Sequence, residues 1–166
     1  MREKLDTGPR EEAHAVCQRL YDATSAEKLT ALGTIHGQHG DLEAALEPLQ
    51  HAAQLEPQSP QMQYNLAFTY YRMNRLEEAR APLAKAIERW PDLFPLQSLY
   101  GAVLARLGDD LAAYRALGRA QEINPQDPRT RELLYTTTLA LARESQAAGH
   151  DPESKRYFDE AARLRP

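Results

Sequence analysis

Three prolines set the period of this chain. Pro57, Pro91 and Pro125 follow one another at intervals of 34 residues. An alanine stands five residues before each (Ala52, Ala86, Ala120), and Ala161 stands five before Pro166. A fixed period of this size marks a repeat architecture, in which one unit cannot bury its apolar face alone and must stack on its neighbours. Between Gln61 and Pro91, two amphipathic helical patterns flank Met73–Asn74–Arg75, and the same punctuation returns one period to either side.

Other positions keep the same period. Gly33, Ala67 and Gly101 are small, as are Ala45, Ala79 and Ala113. Small side chains are needed where a neighbouring helix crosses closely, and the large apolar residues between them fill the interfaces. The prolines follow the second helix of each unit, because the residue before a proline is turned away from helical geometry. This order of residues resembles the tetratricopeptide repeat, W-x2-L-G-x2-Y, then A-x3-F, then P. Repeat one reads Leu29, Leu32–Gly33, His36, Ala45, Leu49 and Pro57. Repeat two reads Gln63, Leu66–Ala67, Tyr70, Ala79, Leu83 and Pro91; repeat three reads Gln97, Tyr100–Gly101, Leu104, Ala113, Leu117 and Pro125. The tryptophan position holds Leu29, Gln63 and Gln97 instead.

The resemblance implies an all-α, right-handed α-solenoid of about four helix–turn–helix units. The repeats are expected at 26–59, 60–93 and 94–127, with an atypical fourth at 128–166 and a tail plus flanking helix at 1–25. Local signals refine this. The first helix is expected over about Ala26 to Gln38, with Gly40–Asp41 turning the chain and Asp41 capping the next helix. Gly37 inside that helix costs about 1 kcal/mol relative to alanine, so it marks either a partner's close approach or simple tolerance. Pro48 and Pro82 share a position inside second helices and suggest a shared bend. In the fourth unit a helix is expected to begin at Pro128 and end near Ala148, with Gly149 at the turn. Gly108 and Gly149 are 41 residues apart, seven more than the period. Counting back from Gly149 places Leu141–Ala142 in the leucine and small-residue positions. Pro9 to about Ala23 reads as the flanking helix, with Cys17 packed beside Ala13, Val16 and Leu20.

Composition narrows the function. With 20 basic and 24 acidic residues the net charge is −4, so no global field attracts nucleic acid or an anionic membrane. No apolar run is long enough to span a bilayer. The charged start, MREKLDTGPREEAH, lacks the apolar core of a signal peptide; this points to the cytoplasm, or to an exported protein already shorn of its signal. One cysteine permits no internal disulfide. Phosphate-loop, dinucleotide, zinc-protease and nucleophile-elbow motifs are absent. His36 and His39 lie near Asp41, but no further ligand is spaced to join them, so no metal or cofactor is expected. The chain reads as non-enzymatic.

Resemblance to the family implies that the first helices line a concave groove that binds a partner's peptide segment. The residues facing it are then Thr30, Thr34 and Gln38; Tyr64, Asn65, Phe68, Tyr71 and Arg72; Ser98, Leu99, Ala102 and Arg106; and Leu139, Arg143 and Gln146. Tyr64, Phe68 and Tyr71 form either an apolar platform or inter-repeat core. Arg72 and Arg106 share a position, and either hold a ligand carboxylate or complement the dipoles of their own helices. Of the clamp with which some members of the family hold the C-terminal carboxylate of chaperones, only Asn65 matches; Thr30, Thr34, Pro95 and Leu99 occupy the other places. The expected role is an adaptor or scaffold that binds a protein or peptide. The alternative is a homo-oligomer joined through the groove or the ends, near Phe158 and Leu164.

Overall fold

A computed structural model describes residues 25–165. Among them are eight α-helices and no strand: α1 (Ala26–Gln38), α2 (Leu42–Leu55), α3 (Pro60–Arg72), α4 (Leu76–Arg89), α5 (Phe94–Leu107), α6 (Asp110–Ile123), α7 (Pro128–Ala147) and α8 (Asp151–Leu164). The fold is an all-α helical repeat. The flanking helix expected over residues 9–23, with Cys17, lies outside the described residues.

Helix ends follow the chemistry of the sequence. The carboxylates of Asp41, Asp109 and Asp127 accept from the backbone N–H groups of Ala44 (3.2 Å), Ala112 (3.3 Å) and Thr130 (2.7 Å), capping α2, α6 and α7. At the turn after α1, α3, α5 and α7 one residue takes a left-handed backbone: Gly40 (φ 82°), Asn74 (61°), Gly108 (80°) and Gly149 (75°). Glycine carries no Cβ penalty there, and asparagine is among the few other residues that visit this region. Proline starts α3 and α7, where its missing N–H costs nothing. Both α2 and α4 run without interruption through Pro48 and Pro82.

The chain forms two compact units, Met1–Asn74 and Arg75–Pro166. The boundary falls inside the segment 60–93. In the first unit α1 packs on α2, α2 on α3, and α1 touches α3. Gly33 is where α1 and α2 cross: a Cβ there would stand 2.8 Å from Leu49 Cδ2 and 3.0 Å from the Ala45 carbonyl. In the second unit each of α4 to α8 packs on the next, and α5 also touches α7. Gly101 repeats the close crossing, with Leu117 Cγ at 2.5 Å from where its Cβ would be. Leu104, Ala113, Ala116, Leu117 and Leu134 form the core of this unit.

With 20 residues, α7 is the longest helix described. Leu141 and Ala142 are buried against Tyr157 of α8, as the count back from Gly149 expects. Tyr114 of α6 ties the end of the unit together. Its ring meets that of Tyr157 edge-on, at 5.6 Å and 81°. Its hydroxyl donates to the carboxylate of Glu160, 2.9 Å from Oε1 and 2.8 Å from Oε2. Burial and that hydrogen bond together push the Tyr114 phenol up to about 12.

Candidate functional site

In the first unit α1 and α3 border a depression of about 270 Å³. Its α1 side is Gly33, Thr34, Gly37 and Gln38; its α3 side is Tyr64, Asn65, Phe68, Thr69 and Arg72, with Leu49 of α2 behind. Helical spacing explains the second set, since positions four apart share a face and carry Tyr64, Phe68 and Arg72 along one line.

The rings of Tyr64 and Phe68 are stacked, 5.8 Å between centroids and 6° from parallel. Phe68 remains 36% exposed, so part of its ring is open to solvent at the depression. Asn65 is held from two sides: its side-chain oxygen accepts from Gln61 Nε2 at 3.0 Å, and its carbonyl from Thr69 Oγ1 at 3.0 Å. Thr34 Oγ1 donates to the Thr30 carbonyl at 2.8 Å.

Arg72 closes the line. Its Nη1 donates to the Gly37 carbonyl at 2.8 Å, an oxygen that also accepts from the Gly40 N–H at 3.2 Å. That carbonyl belongs to the last turn of α1, where such groups lack helical partners and a cation opposes the negative end of the dipole. The arginine therefore complements the end of the adjacent helix. The sequence offers a ligand carboxylate or the dipole of its own helix as the partner; the Gly37 carbonyl of the neighbouring helix is neither.

Four of the expected site residues, Tyr64, Asn65, Phe68 and Arg72, thus come together, joined by Thr34 and Gln38. Tyr71, on the same helix, is not among the lining residues. The Thr30 hydroxyl instead lies 2.8 Å from the Ala26 carbonyl and 2.6 Å from Met62 Sδ, with one proton to give to either. Ser98 and Arg106 belong to the second unit, where the Ser98 hydroxyl pairs with that of Thr130 at 2.9 Å and Arg106 is exposed in the last turn of α5. Leu99 is only 7% exposed and Ala102 is also buried, so both fill that unit's interior. Of α7, Arg143 and Gln146 are exposed and Leu139 is half-buried. Gly37, for which a partner's close approach is one of two sequence readings, also lines the depression. The signal was its place 34 residues before Tyr71 and 68 before Ala105, a helix position emptied in repeat one alone. Among the described residues no group of three His, Cys, Asp or Glu side chains is placed to hold a metal, and no helix is long and apolar enough to cross a membrane.

Paired helices, a left-handed residue at each inner turn, and small residues at the close crossings define a helical-repeat protein. Residues 38–107 match the profile of the tetratricopeptide repeat family, and the chain is similar to that family in fold. The fold of this family is a protein–protein interaction module. Photosystem I assembly protein Ycf3 of Synechococcus elongatus is 28% identical over 106 residues, 58% of this chain and 61% of that protein. The chain thus spans about three fifths of that relative's length. Protein O-mannosyl-transferase TMTC1 of Homo sapiens is 26% identical over 147 residues, 89% of this chain but 16% of that protein. Among solved structures, MamA superposes with a TM-score of 0.72 at 19% identity, covering 99% of this chain and 96% of its own. The first tetratricopeptide domain of Spaghetti (RPAP3), bound to the HSP90 peptide SRMEEVD, has a TM-score of 0.69 at 21% identity, covering 73% and 96%. Likeness at these identities describes the fold.

Proposed function

We propose that this protein is a non-catalytic adaptor that receives an extended segment of a partner protein in the depression between α1 and α3. The observation that carries the reading is the stacked Tyr64–Phe68 pair, still exposed and in line with Arg72. Aromatics and arginine are the usual anchors of binding surfaces: a rigid ring buries much area at little entropic cost, and a guanidinium supplies several directed donors. A neighbour in fold is solved with a peptide bound, which supports a peptide ligand here. The chaperone tail itself is a poor fit, since Asn65 alone matches that clamp.

A phage-displayed dodecapeptide library panned on the purified chain tests this. Recovered peptides should lose tenfold or more in affinity on Phe68→Ala, about 1.4 kcal/mol. They should bind Tyr71→Ala as they bind the unchanged protein. Peptides indifferent to Phe68→Ala, or none recovered, would sink the proposal.

A second reading, assembly of copies through α8, rests on Phe158. Leu49, Leu83 and Leu117 occupy the corresponding place in the earlier units and are buried, whereas Phe158 is exposed. Light scattering over a hundredfold range of concentration decides it: a mass fixed at that of the monomer removes this reading.

A further inference from the structure

We infer that Gly37 sets the specificity of this depression, admitting a bulky apolar side chain of the partner that has an acidic residue close to it in sequence. The inference rests on the peptide-binding reading above and adds the class of segment bound.

Glycine inside a helix costs about 1 kcal/mol relative to alanine, so its presence calls for a reason. Gly33, one turn earlier, has one in the contact with Leu49. Gly37 has none of that kind: a Cβ added there meets nothing within 4 Å. Its missing side chain leaves open space at the edge of the depression, where repeats two and three have Tyr71 and Ala105.

Size and charge limit what fills that space. At about 270 Å³ the depression lies just below the roughly 300–1,000 Å³ of cofactor and drug-sized ligand sites. One or two side chains of an extended segment fit that volume better than a whole cofactor. The exposed face of Phe68 asks for an apolar group. Arg72 is the one charged residue among those lining the depression, and no carboxylate opposes it there. A guanidinium has five N–H donors in a rigid fork, and the bond from Nη1 to the Gly37 carbonyl holds that fork in place. A carboxylate is the acceptor that such a fork takes up best. With a net charge of −4 the chain as a whole does not draw acidic partners, so the attraction is local to this site.

The panned dodecapeptides supply the probe. The expected consensus is an aromatic or large aliphatic residue within about two positions of Asp or Glu, since Phe68 and Arg72 lie one turn apart, about 5–6 Å, and an extended chain advances about 3.3 Å per residue. Gly37→Leu should weaken these peptides at least tenfold while the melting temperature does not fall, and Gly37→Ala should weaken them less. Changing the peptide's acid to its amide should cost affinity for the unchanged protein, and little further on Arg72→Gln. Peptides weakened by Phe68→Ala but not by Gly37→Leu, or a consensus without an acid, would overturn this inference and leave the adaptor reading standing. Peptides weakened by neither variant would overturn both. If Gly37→Leu fails to fold, Gly37→Ala decides, and unchanged affinity on that variant counts against the inference. A concentration-dependent dimer abolished by Gly37→Ala would make the occupant a second copy and overturn the assignment to a partner segment.

Discussion

Gly33 and Gly37 stand one turn apart on α1, yet they answer to different demands. Gly33 lies under Leu49, and even one methyl group there has no room. Gly37 borders open space, and a methyl group there touches nothing. The same residue type is imposed by packing in one place and left unexplained by packing in the other. On the reading proposed above, the second is the pointer to function, because packing gives no reason to keep it.

Substitutions sharpen or break this contrast. The largest effect is expected on the packed side, where Leu117→Ala removes a fully buried side chain at the Gly101 crossing and should cost about 2–5 kcal/mol by urea unfolding. Gly33→Ala comes next. Leu49 and the Ala45 carbonyl must both give way, so a loss of about 1–3 kcal/mol is expected from overpacking. A neutral result would show that α1 and α2 can separate freely, and would dissolve the contrast. Phe68→Ala should lower stability by about 0.5–1.5 kcal/mol, since its ring, though partly exposed, is stacked on that of Tyr64. On the open side Gly37→Ala should instead raise stability through helix propensity, by less than the roughly 1 kcal/mol of a helix interior because Gly37 is the penultimate residue of α1. Opposite signs for one substitution at two glycines of one helix are the outcome that matters.

Tyr114→Phe probes a third kind of contact by pH. The folded phenol titrates near 12, above the roughly 10 of an unfolded tyrosine. A group with a raised folded value contributes stability that is intact below pH 10 and lost as pH climbs through 12. The unchanged protein should therefore lose more stability than Tyr114→Phe across that alkaline window, as read by circular dichroism melts. Parallel curves would mean the Glu160 hydrogen bond is not maintained in solution.

Much of the fold was legible because it is written in residue types that tolerate few alternatives. Asp41 could be read as a cap and Gly149 as a turn before any coordinates, and both are so placed. Leu141 and Ala142 fell into their positions by counting from that glycine. The site was less legible. The family resemblance implied Tyr64, Asn65, Phe68 and Arg72 as groove residues, but it also implied Tyr71 and Leu99, and a repeat pattern cannot tell a surface from an interior when both faces of a helix meet neighbours. Nor could spacing reveal that Arg72 reaches the end of α1, since that bond joins residues 35 apart. The emptiness at Gly37 was visible as a missing side chain; what it borders required three dimensions.

The extra length of α7 carries a rotational consequence. Seven residues added to a helix fall only about 20° short of two whole turns. The insertion lengthens the rod by about 10 Å while leaving the compass bearing of everything after it nearly unchanged. Leu141 and Ala142 therefore still face Tyr157. An insertion of five residues would swing them by about 140° and point the pair away from α8. For a helix packed along its whole length, phase is the quantity that must be preserved, and length is free to vary only in steps that return to the same bearing.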